Sequence, residues 1–394
     1  MLLLKNILVL DFTRVLAGPF CTMTLRDLGA RVIKVEQPAV GDEARGIGPF
    51  VNGQSVYFAS VNGGKESITL DLKKAAGRLL AQGLAAKADV VVENFKPGTM
   101  ARLGLDYSTL KGLNPRLVYL SLSGFGQSGP YASRGAYDVV IQALGGIMSL
   151  TGEENGNPTR VGVSVGDIIP ALYAVVGILA ALHRREVTGR GAYIDLAMMD
   201  ALVAVVENAL ARYSATGEVP RPVGNRHPAI TPFALFPSAD GYIVVAAGRD
   251  DQWQRLCQAL GLSHMAHDPR YATNQLRTQN VASLSAALAA RLSQETTAHW
   301  EAALDVAQVP YARVNNIADL VADPHIRHRN MILEVDQPGI GPMLTPGIPI
   351  KILGEEDKAA HPAPTLGGDT DSVLKEVLGL TGEEIAALRA QDVL

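Results

Sequence analysis

Asp167 stands alone at the head of a long apolar segment and is the residue in this sequence best suited to be a reactive group. No charged side chain occurs between Ile168 and Leu182. Asp is favoured at helix N-termini, because its side-chain oxygen accepts N–H groups of the first turn. A carboxylate at a helix N-terminus is also stabilised in its charged form, and it can attack an activated acyl group and carry it covalently. The sequence leaves both roles open, a helix cap and an acyl-carrying nucleophile.

Two loops that follow predicted strands could contact a ligand. Residues 121–131 are rich in glycine, which lets a backbone approach a ligand closely. In the other loop Phe95 offers a stacking surface and Lys96 a positive charge, and Arg102 follows shortly after. Because ligands of parallel sheets bind at the carboxyl ends of strands, we expect both loops to face one crevice. The alternatives are an ordinary turn and solvated surface charges.

Neither a dinucleotide site nor a metal site is indicated by the motifs. The second predicted strand ends in Glu36, where an acid would bind a ribose in nicotinamide-binding folds. The turn at 11–19 has one glycine, however, whereas the G-x-G-x-x-G motif needs three. There is no Walker A loop, and the histidines show no metal-ligand spacing with acids. We expect no metal and no permanently bound cofactor.

The N-terminal half alternates apolar strands with amphipathic helices, which predicts an α/β fold with a parallel sheet covered on both faces. The predicted strands are 7–10, 31–36, 88–92, 117–122 and 192–196, with a short one at 67–71. The predicted helices are 19–28, 73–86, 100–104, 107–113, 167–185 and 198–216.

A change of composition predicts a second, smaller domain. The segment 217–228 is rich in Pro and Gly, which is typical of a linker or a site loop. Beyond it, residues 233–236 and 242–246 flank an Asp-Gly turn and predict a hairpin, and helices are predicted at 251–260, 281–304 and 382–391. We expect a large Rossmann-like domain at 1–205 plus 326–394, a linker at 206–224 and a small α+β domain at 225–325.

Composition excludes several classes of protein. The chain of 394 residues is 47% hydrophobic with a net charge of −4, so it can bury a large core and lacks the basic surplus of a nucleic-acid binder. Its two cysteines are far apart in sequence and fit a reducing compartment. The apolar run 168–182 is shorter than the ~20 residues that a membrane span needs. We expect a cytoplasmic protein without nucleic-acid or membrane partners.

Several segments, in order and in register, resemble the class III coenzyme A transferases, the family of formyl-CoA transferase and carnitine CoA-transferase. They are residues 10–19, 28–36, 88–98, 123–130, the Gly166-Asp167 pair, 177–182 and 188–191. The resemblance covers nearly the whole chain. It implies a Rossmann-like large domain and a smaller α+β domain in a ring-shaped chain, interlocked with a second copy as a homodimer.

The resemblance also implies a role for Asp167. In the family's scheme this carboxylate attacks the donor acyl-CoA and gives a mixed anhydride and free CoA thiolate. The thiolate then returns to form an aspartyl-CoA thioester, the acceptor acid attacks, and the exchange runs in reverse to release the new acyl-CoA. The CoA thioester is a co-substrate, and no ATP or metal is required.

Positions carried over from the family predict the CoA contacts Leu16, Ala17, Leu70, Asp71, Leu72, Lys73, Asn94, Phe95, Lys96 and Arg102. Gln37 stands where formyl-CoA transferase has an arginine for the nucleotide end, so Arg14, Arg31 or Lys65 is expected to replace it. Leu16 replaces a glutamine near the acyl group, and a shorter segment, 224–232, replaces the glycine-rich flap. Formate and oxalate are therefore not expected as substrates.

The same superfamily contains α-methylacyl-CoA racemases, which are the alternative. Those enzymes use the histidine of a Gly-His-Asp triplet as an acid/base, whereas the corresponding triplet here is Ala136-Tyr137-Asp138. Tyrosine, with an ordinary pKa of about 10, is a poor proton shuttle near neutral pH. This position favours transfer over racemisation.

The region 221–248 most resembles members of the family that act on C4–C5 dicarboxylates, such as glutarate, itaconate, mesaconate or citramalate, with succinyl-CoA as donor. A second carboxylate calls for a cationic partner. Arg226 and His227 are the first candidates, Arg14 and Arg45 come next, and Tyr137 is placed beside the substrate. The alternative for Arg226 is a solvated loop position.

Overall fold

The computed structural model describes residues 3–355 and 359–394. Within them the strands are β1 (Leu8–Asp11), β2 (Arg31–Glu36), β3 (Phe50–Val51), β4 (Gln54–Ser55), β5 (Glu66–Thr69), β6 (Val90–Glu93), β7 (Val118–Ser123), β8 (Ala192–Ala197), β9 (Phe233–Pro237), β10 (Tyr242–Ala246), β11 (Tyr311–Arg313), β12 (Ile332–Gln337) and β13 (Gly341–Pro346).

The helices are α1 (Ala17–Asp27), α2 (Val56–Asn62), α3 (Ala75–Lys87), α4 (Thr99–Leu103), α5 (Tyr107–Leu113), α6 (Asp138–Leu144), α7 (Ile147–Leu150), α8 (Val165–Thr188), α9 (Met198–Val205), α10 (Glu207–Thr216), α11 (Asp250–Ala259), α12 (Ser263–Ala266), α13 (Asn274–Gln279), α14 (Val281–Leu292), α15 (Thr297–Ala307), α16 (Ile317–Ala322), α17 (Pro324–His328), α18 (Thr370–Leu378) and α19 (Gly382–Ala390). Short 3₁₀ turns occur at Glu43–Gly46 and Pro269–Tyr271.

Two compact units make up the chain. The first comprises Met1–Ile147, Val161–Ala211 and Pro324–Leu394, and the second comprises Met148–Arg160 and Arg212–Asp323. These ranges differ from the predicted domain boundaries chiefly because 148–160 groups with the second unit. The boundaries at 205, 224 and 325 stay a prediction.

A six-stranded parallel sheet forms the centre of the first unit, and it confirms the predicted α/β class. Its strand order is β5-β2-β1-β6-β7-β8, which is the order of the doubly wound nucleotide-binding folds. The order in which successive strands are added to the sheet reverses between β1 and β6, and Leu10 of β1 pairs with Ile33 on one side and with Val91 on the other. Ligands of such sheets bind beyond the carboxyl ends of the strands at this reversal.

Apolar cores lie on both faces of this sheet, which explains why the central strands β1 and β6 are apolar up to their last residue. Val90 and Val92 pack on the face covered by α1, α8 and α9, while Val91 packs on the opposite face. All three valines are fully buried, and each contributes about 1.5–3 kcal/mol relative to exposure. The central strands could therefore be predicted from their apolar residues in the sequence.

The second unit has its own sheet and core. Strands β11, β10 and β9 form an antiparallel sheet, which confirms the predicted hairpin at 233–246. Trp253 and Trp300 are buried in its core. The predicted helix 281–304 is wrong, since α14 ends at Leu292 and α15 begins after Thr296, whose hydroxyl caps it.

Helix α8 is the longest of the chain, and it meets the length and composition tests of a membrane span. The helix extends beyond the apolar run 168–182, on which the expectation of no membrane span was based. Ala171, Ala174 and Ile178 are fully buried in the core against the sheet, and a core helix of a soluble protein passes the same tests. Pro170 lies in its first turns.

Candidate active site

A cavity of about 660 Å³ opens beyond the carboxyl ends of the parallel strands. Its wall is built from the segments that follow β1, β2, β5, β6 and β7, together with residues 132–137, Asp167 and Met198. All of these belong to the first unit. Residues 94–97 of the one predicted loop line this cavity, but of the glycine-rich segment 121–131 only 122–124 do, at the end of β7.

Asp167 lies in the first turn of α8 and contributes to the cavity wall. The helix begins at Val165 with Ser164 as its N-cap residue, and the Asp167 N–H donates to the Ser164 carbonyl at 3.0 Å. The predicted capping role for Asp167 is therefore wrong. Asp167 is the third residue of the helix, and the N-cap position, whose side chain could accept the free N–H groups of the helix end, belongs to Ser164.

The electrostatic surroundings favour the protonated form of Asp167. Burial, and secondly the charge of Asp138, raise the pKa of Asp167 to about 7. With a pKa of about 7 the group is only about half ionised at neutral pH, so the helix end does not keep it fully charged as expected. A helix N-terminus contributes about 0.3–1 kcal/mol, whereas removing a carboxylate from water costs several kcal/mol, so burial dominates.

Asp138 and Gln142 hold the start of α8 in place. The Gly166 N–H donates to Asp138 Oδ1 at 2.8 Å, and the Gln142 amide donates to both oxygens of Asp138 at 3.0 and 2.9 Å. Gln142 Oε1 accepts the Val161 N–H at 2.9 Å. A Cβ atom at Gly166 would lie 2.8 Å from the Asp138 carbonyl oxygen, so only glycine fits before Asp167.

All predicted CoA contacts line the cavity, from Leu16 and Ala17 through 70–73 and 94–96 to Arg102. Their basic members, Lys73, Lys96 and Arg102, come from three segments that the sheet brings together. The wall also contains Arg134, whose guanidinium carbon lies 3.8 Å from the Tyr131 ring centre. Sequence reasoning missed Arg134, because a single basic residue in a loop carries no pattern.

Buried side chains clamp the loop after β1, which forms part of the cavity wall. Val15 adopts a φ of 65°, a conformation rare for a β-branched residue. Its N–H donates to Asp42 Oδ1 at 3.0 Å, and Lys34 Nζ lies 2.7 Å from Asp42 Oδ2 and donates to the Thr13 carbonyl at 2.8 Å. Burial acts to raise the pKa of Asp42, but Lys34 and backbone N–H groups hold it below its ordinary value.

The same loop is tied to the loop after β6. Asn94 Oδ1 accepts the Arg14 N–H and Asn94 Nδ2 donates to the Arg14 carbonyl, both at 2.9 Å. The sequence analysis missed Lys34, although a lysine inside the apolar strand 31–36 was a readable signal of a buried ion pair. Hydrogen bonds therefore join the two loops that line this part of the cavity.

Arg14, Arg31 and Lys65 were expected to take the place of the family arginine at the position of Gln37, and the structure shows which of them line the cavity. Arg31 is bound to Glu66 and Glu376 at 2.7 Å, and Lys65 is fully buried against Asp11 at 3.1 Å. Arg14 alone of the three lines the cavity beside Gln37. Its guanidinium carbon lies 4.6 Å from the Phe95 ring centre.

The predicted substrate contacts are only partly brought together. Tyr137 and Arg14 line the cavity. Arg45 does not, because it forms a two-point ion pair with Glu36 at 2.7 Å and stacks on Phe58. That arrangement uses its charge within the fold, so the prediction for Arg45 is not supported by its position.

Arg226 and His227 belong to the second unit. The Arg226 guanidinium lies 3.5 Å from Glu154 of the same unit. His227 Nδ1 accepts the N–H of Ala229 at 3.1 Å. Their role in binding substrate stays a prediction.

No cluster of three or more His, Cys, Asp or Glu side chains suited to a metal ion occurs among residues 3–355 and 359–394. The cavity wall is partly apolar and partly basic, and its buried acids Glu36 and Asp42 are paired with Arg45 and Lys34, whereas the partly buried Asp167 has a raised pKa. Such a wall suits a ligand with phosphate groups at one end and a reactive acyl group at the other.

A parallel sheet in doubly wound order, with a cavity where the strand order reverses, is typical of α/β proteins that bind nucleotide-containing ligands. Comparison with known proteins identifies the family. The model of "CoA-transferase family III" matches residues 4–370. The chain belongs to CoA-transferase family III and is a CoA-transferase, which confirms the resemblance noted in the sequence.

Characterised relatives span nearly the whole chain. Acetyl-CoA:oxalate CoA-transferase of Acetobacter aceti is 44% identical and the match covers 94% of this chain and 95% of that protein. Succinyl-CoA:mesaconate CoA-transferase of Haloarcula marismortui is 43% identical, over 95% and 96% of the two chains. Succinyl-CoA:glutarate CoA-transferase of Homo sapiens is 38% identical, over 99% and 90%.

The fold also matches a solved structure. A CAIB/BAIF family protein from Brucella suis superposes with a TM-score of 0.85 at 41% identity, and the match covers 95% of this chain and 98% of that one.

Proposed function

We propose that this enzyme transfers CoA from an acyl-CoA donor, succinyl-CoA, to a small dicarboxylic acid through an aspartyl-CoA thioester on Asp167. The observation that carries the proposal is a partly buried carboxyl group, with its pKa raised to about 7, on the wall of the cavity that the basic residues Lys73, Lys96 and Arg102 also line. A partly desolvated carboxylate is a stronger nucleophile than one in water.

Each step of the proposed reaction exchanges one activated acyl group for another. The Asp167 carboxylate attacks the thioester carbonyl carbon, and the C–S bond breaks to give an aspartyl-acyl anhydride and CoA thiolate. The thiolate attacks the aspartyl carbonyl and releases the donor carboxylate. The acceptor carboxylate then attacks the carbonyl carbon of the aspartyl-CoA thioester, which releases CoA thiolate and gives a second anhydride. The thiolate attacks the acceptor carbonyl of that anhydride, which forms the new acyl-CoA and releases the Asp167 carboxylate.

The acceptor is proposed to be a C4–C5 dicarboxylate. The names of the relatives include mesaconate and glutarate, which are C5 dicarboxylates. They also include oxalate, a C2 dicarboxylate that was not expected from the sequence. Arg14 and Arg134 line the cavity and could pair with a second carboxylate. An acceptor screen with succinyl-CoA, covering itaconate, mesaconate, citramalate, glutarate and oxalate, tests the choice by the new thioester formed.

The active assembly is proposed to be a homodimer of interlocked chains in the cytoplasm. Exposed apolar side chains support this, since Leu172, Tyr173 and Val176 on α8 are 47%, 43% and 62% exposed. A second copy would remove such a surface from water. Sedimentation at decreasing concentration tests it, and a folded monomer that persists at nanomolar concentration contradicts it.

The nucleophile is tested with Asp167→Ala and Asp167→Asn. Both variants should lose transfer while CoA binding persists, and wild-type protein incubated with acyl-CoA should gain mass that hydroxylamine removes. Turnover near the wild-type rate in Asp167→Ala would exclude the aspartyl intermediate. Nothing observed favours racemisation, and solvent deuterium entering the α-carbon without an acceptor acid would be its signature.

A further inference from the structure

Ser123 is the last residue of β7 and forms part of the cavity wall. The residue is 7% exposed, and its hydroxyl makes no hydrogen bond within the part of the chain that the structure describes. Buried side-chain hydroxyl groups in proteins nearly always have a partner, because an unmet one costs free energy. Ser123 therefore has hydrogen-bonding capacity available to a molecule in the cavity.

Ser121 provides an internal comparison. It lies two residues earlier, on the same side of β7, and is 2% exposed. Its Oγ is 3.2 Å from the Tyr193 hydroxyl and also bonds the Glu93 carboxyl group. The inner hydroxyl of the strand is thus bound by the protein, whereas the outer one, at the edge of the cavity, is not.

Segments that line the cavity flank Ser123 on both sides. Glu93, the last residue of β6, pairs with Ser121, so Ser123 lies two residues farther along, level with the loop at 94–96. On the other side it pairs with Ala197, which precedes Met198. A Cβ atom at Gly124 would lie 2.1 Å from Ala136 Cβ, so the segment before Tyr137 packs directly on this strand end.

We propose that the Ser123 hydroxyl donates a hydrogen bond to a carbonyl oxygen of the bound acyl-CoA. The inference rests on the proposed function, which puts acyl-CoA in this cavity. Acyl-CoA presents carbonyl acceptors in its thioester and in its pantetheine amides. Leu122 and Met198 beside Ser123 are apolar, so a bond made there has little competition from water. Asp167 remains the group that carries the acyl chain, and Ser123 forms no covalent bond.

Ser123→Ala separates a ligand contact from a structural one. Removing a hydroxyl that bonds nothing in the protein should leave Tm unchanged or higher, while kcat/KM for succinyl-CoA falls about tenfold. If the acceptor is the thioester carbonyl, the loss lies in kcat and the Kd of free CoA is unchanged, since the bond strengthens as negative charge develops. If it is a pantetheine amide, the Kd of CoA and KM rise about tenfold and kcat is retained. Either result supports the proposal.

Ser121→Ala is the matched control, expected to lower Tm and leave the Kd of CoA unchanged. Wild-type kcat, KM and Kd of CoA in Ser123→Ala overturn the proposal, and so does a fall in Tm like that of Ser121→Ala. The Asp167 variants keep the two proposals apart. If Asp167→Ala is inactive and Ser123→Ala behaves like the wild type, only the proposed Ser123 contact is excluded. If Asp167→Ala is active, the aspartyl mechanism is excluded whatever the result for Ser123→Ala.

Discussion

Asp138 lies beside the first turn of the helix that carries Asp167, and its negative charge adds to the larger effect of burial in raising the pKa of Asp167. The contact is made through Gly166, whose N–H donates to Asp138 Oδ1 at 2.8 Å. One acid therefore both holds the helix end and biases the charge of the other. Burial and, secondly, the charge of Asp138 therefore place the pKa of Asp167 near neutral pH.

We expect kcat/KM for the acyl-CoA donor to rise with pH and to level off above the Asp167 pKa of about 7. In the proposed mechanism the attacking species is the carboxylate, and both burial and Asp138 favour the protonated form. Below the pKa the active fraction falls about tenfold per pH unit. Initial rates from about pH 5 to about pH 9 measure this profile, and a flat profile would contradict the assignment.

Asp138→Asn is expected to move the midpoint of that profile to lower pH. The amide oxygen can still accept the Gly166 N–H, but the negative charge is gone, so ionisation of Asp167 becomes easier. Because burial is the larger cause, part of the elevation should remain. Asp195→Asn is the control, because Asp195 accepts a hydrogen bond from the Gln127 N–H and its charge is not among the causes of the raised pKa of Asp167. An equal shift of the midpoint in both variants contradicts the prediction.

Gly166→Ala is expected to disturb the start of α8 and lower activity strongly. Its Cβ would lie 2.8 Å from the Asp138 carbonyl oxygen and 2.9 Å from Oδ1, so the backbone before Asp167 must shift, at a stability cost of about 1–3 kcal/mol. Gly177→Ala in the same helix meets its nearest atom at 3.6 Å. That control should be neutral or stabilising by up to about 1 kcal/mol. Chemical denaturation and steady-state rates compare the two.

Lys34→Met should destabilise the fold by about 3–5 kcal/mol, because it leaves the Asp42 carboxylate buried without its cation. The side chains of both residues are essentially inaccessible to solvent. Arg116→Met removes an ion pair with Glu186 in which both partners are at least half exposed, and about 0–1 kcal/mol is expected there. Urea denaturation measures the difference, and similar losses in both variants would show that the buried pair does not clamp the loop.

Arg102→Gln is expected to raise KM for acyl-CoA about tenfold with little change in kcat, since one charge-assisted bond to phosphate is lost. The wild-type KM should itself rise with salt, and the difference between the two proteins should shrink. Lys111→Gln removes a charge that lies over Tyr107, away from the cavity, and serves as the control. An unchanged KM in Arg102→Gln would remove this residue from the CoA site.

The local part of the structure was readable from short stretches of chain. Strand β2 was predicted at its observed bounds, 31–36, and α5 at 107–113, because apolar periodicity and turn residues lie within a few positions of each other. Helix boundaries were less secure. The predicted helix 198–216 is broken between Val205 and Glu207, and nothing in its composition marks that break.

The sequence by itself determined the class of fold, the family and the choice of Asp167, since these depend on residue types in order along the chain. Only the tertiary structure decided the state of the site. It placed Asp138 against Gly166, 28 positions away, and bound Arg45 to Glu36 instead of the cavity. It also left the Ser123 hydroxyl at the cavity edge without a hydrogen-bond partner among residues 3–355 and 359–394. Burial and long-range pairing arise when distant segments pack together, and a pKa or an unmet hydrogen bond exists only once that packing excludes water.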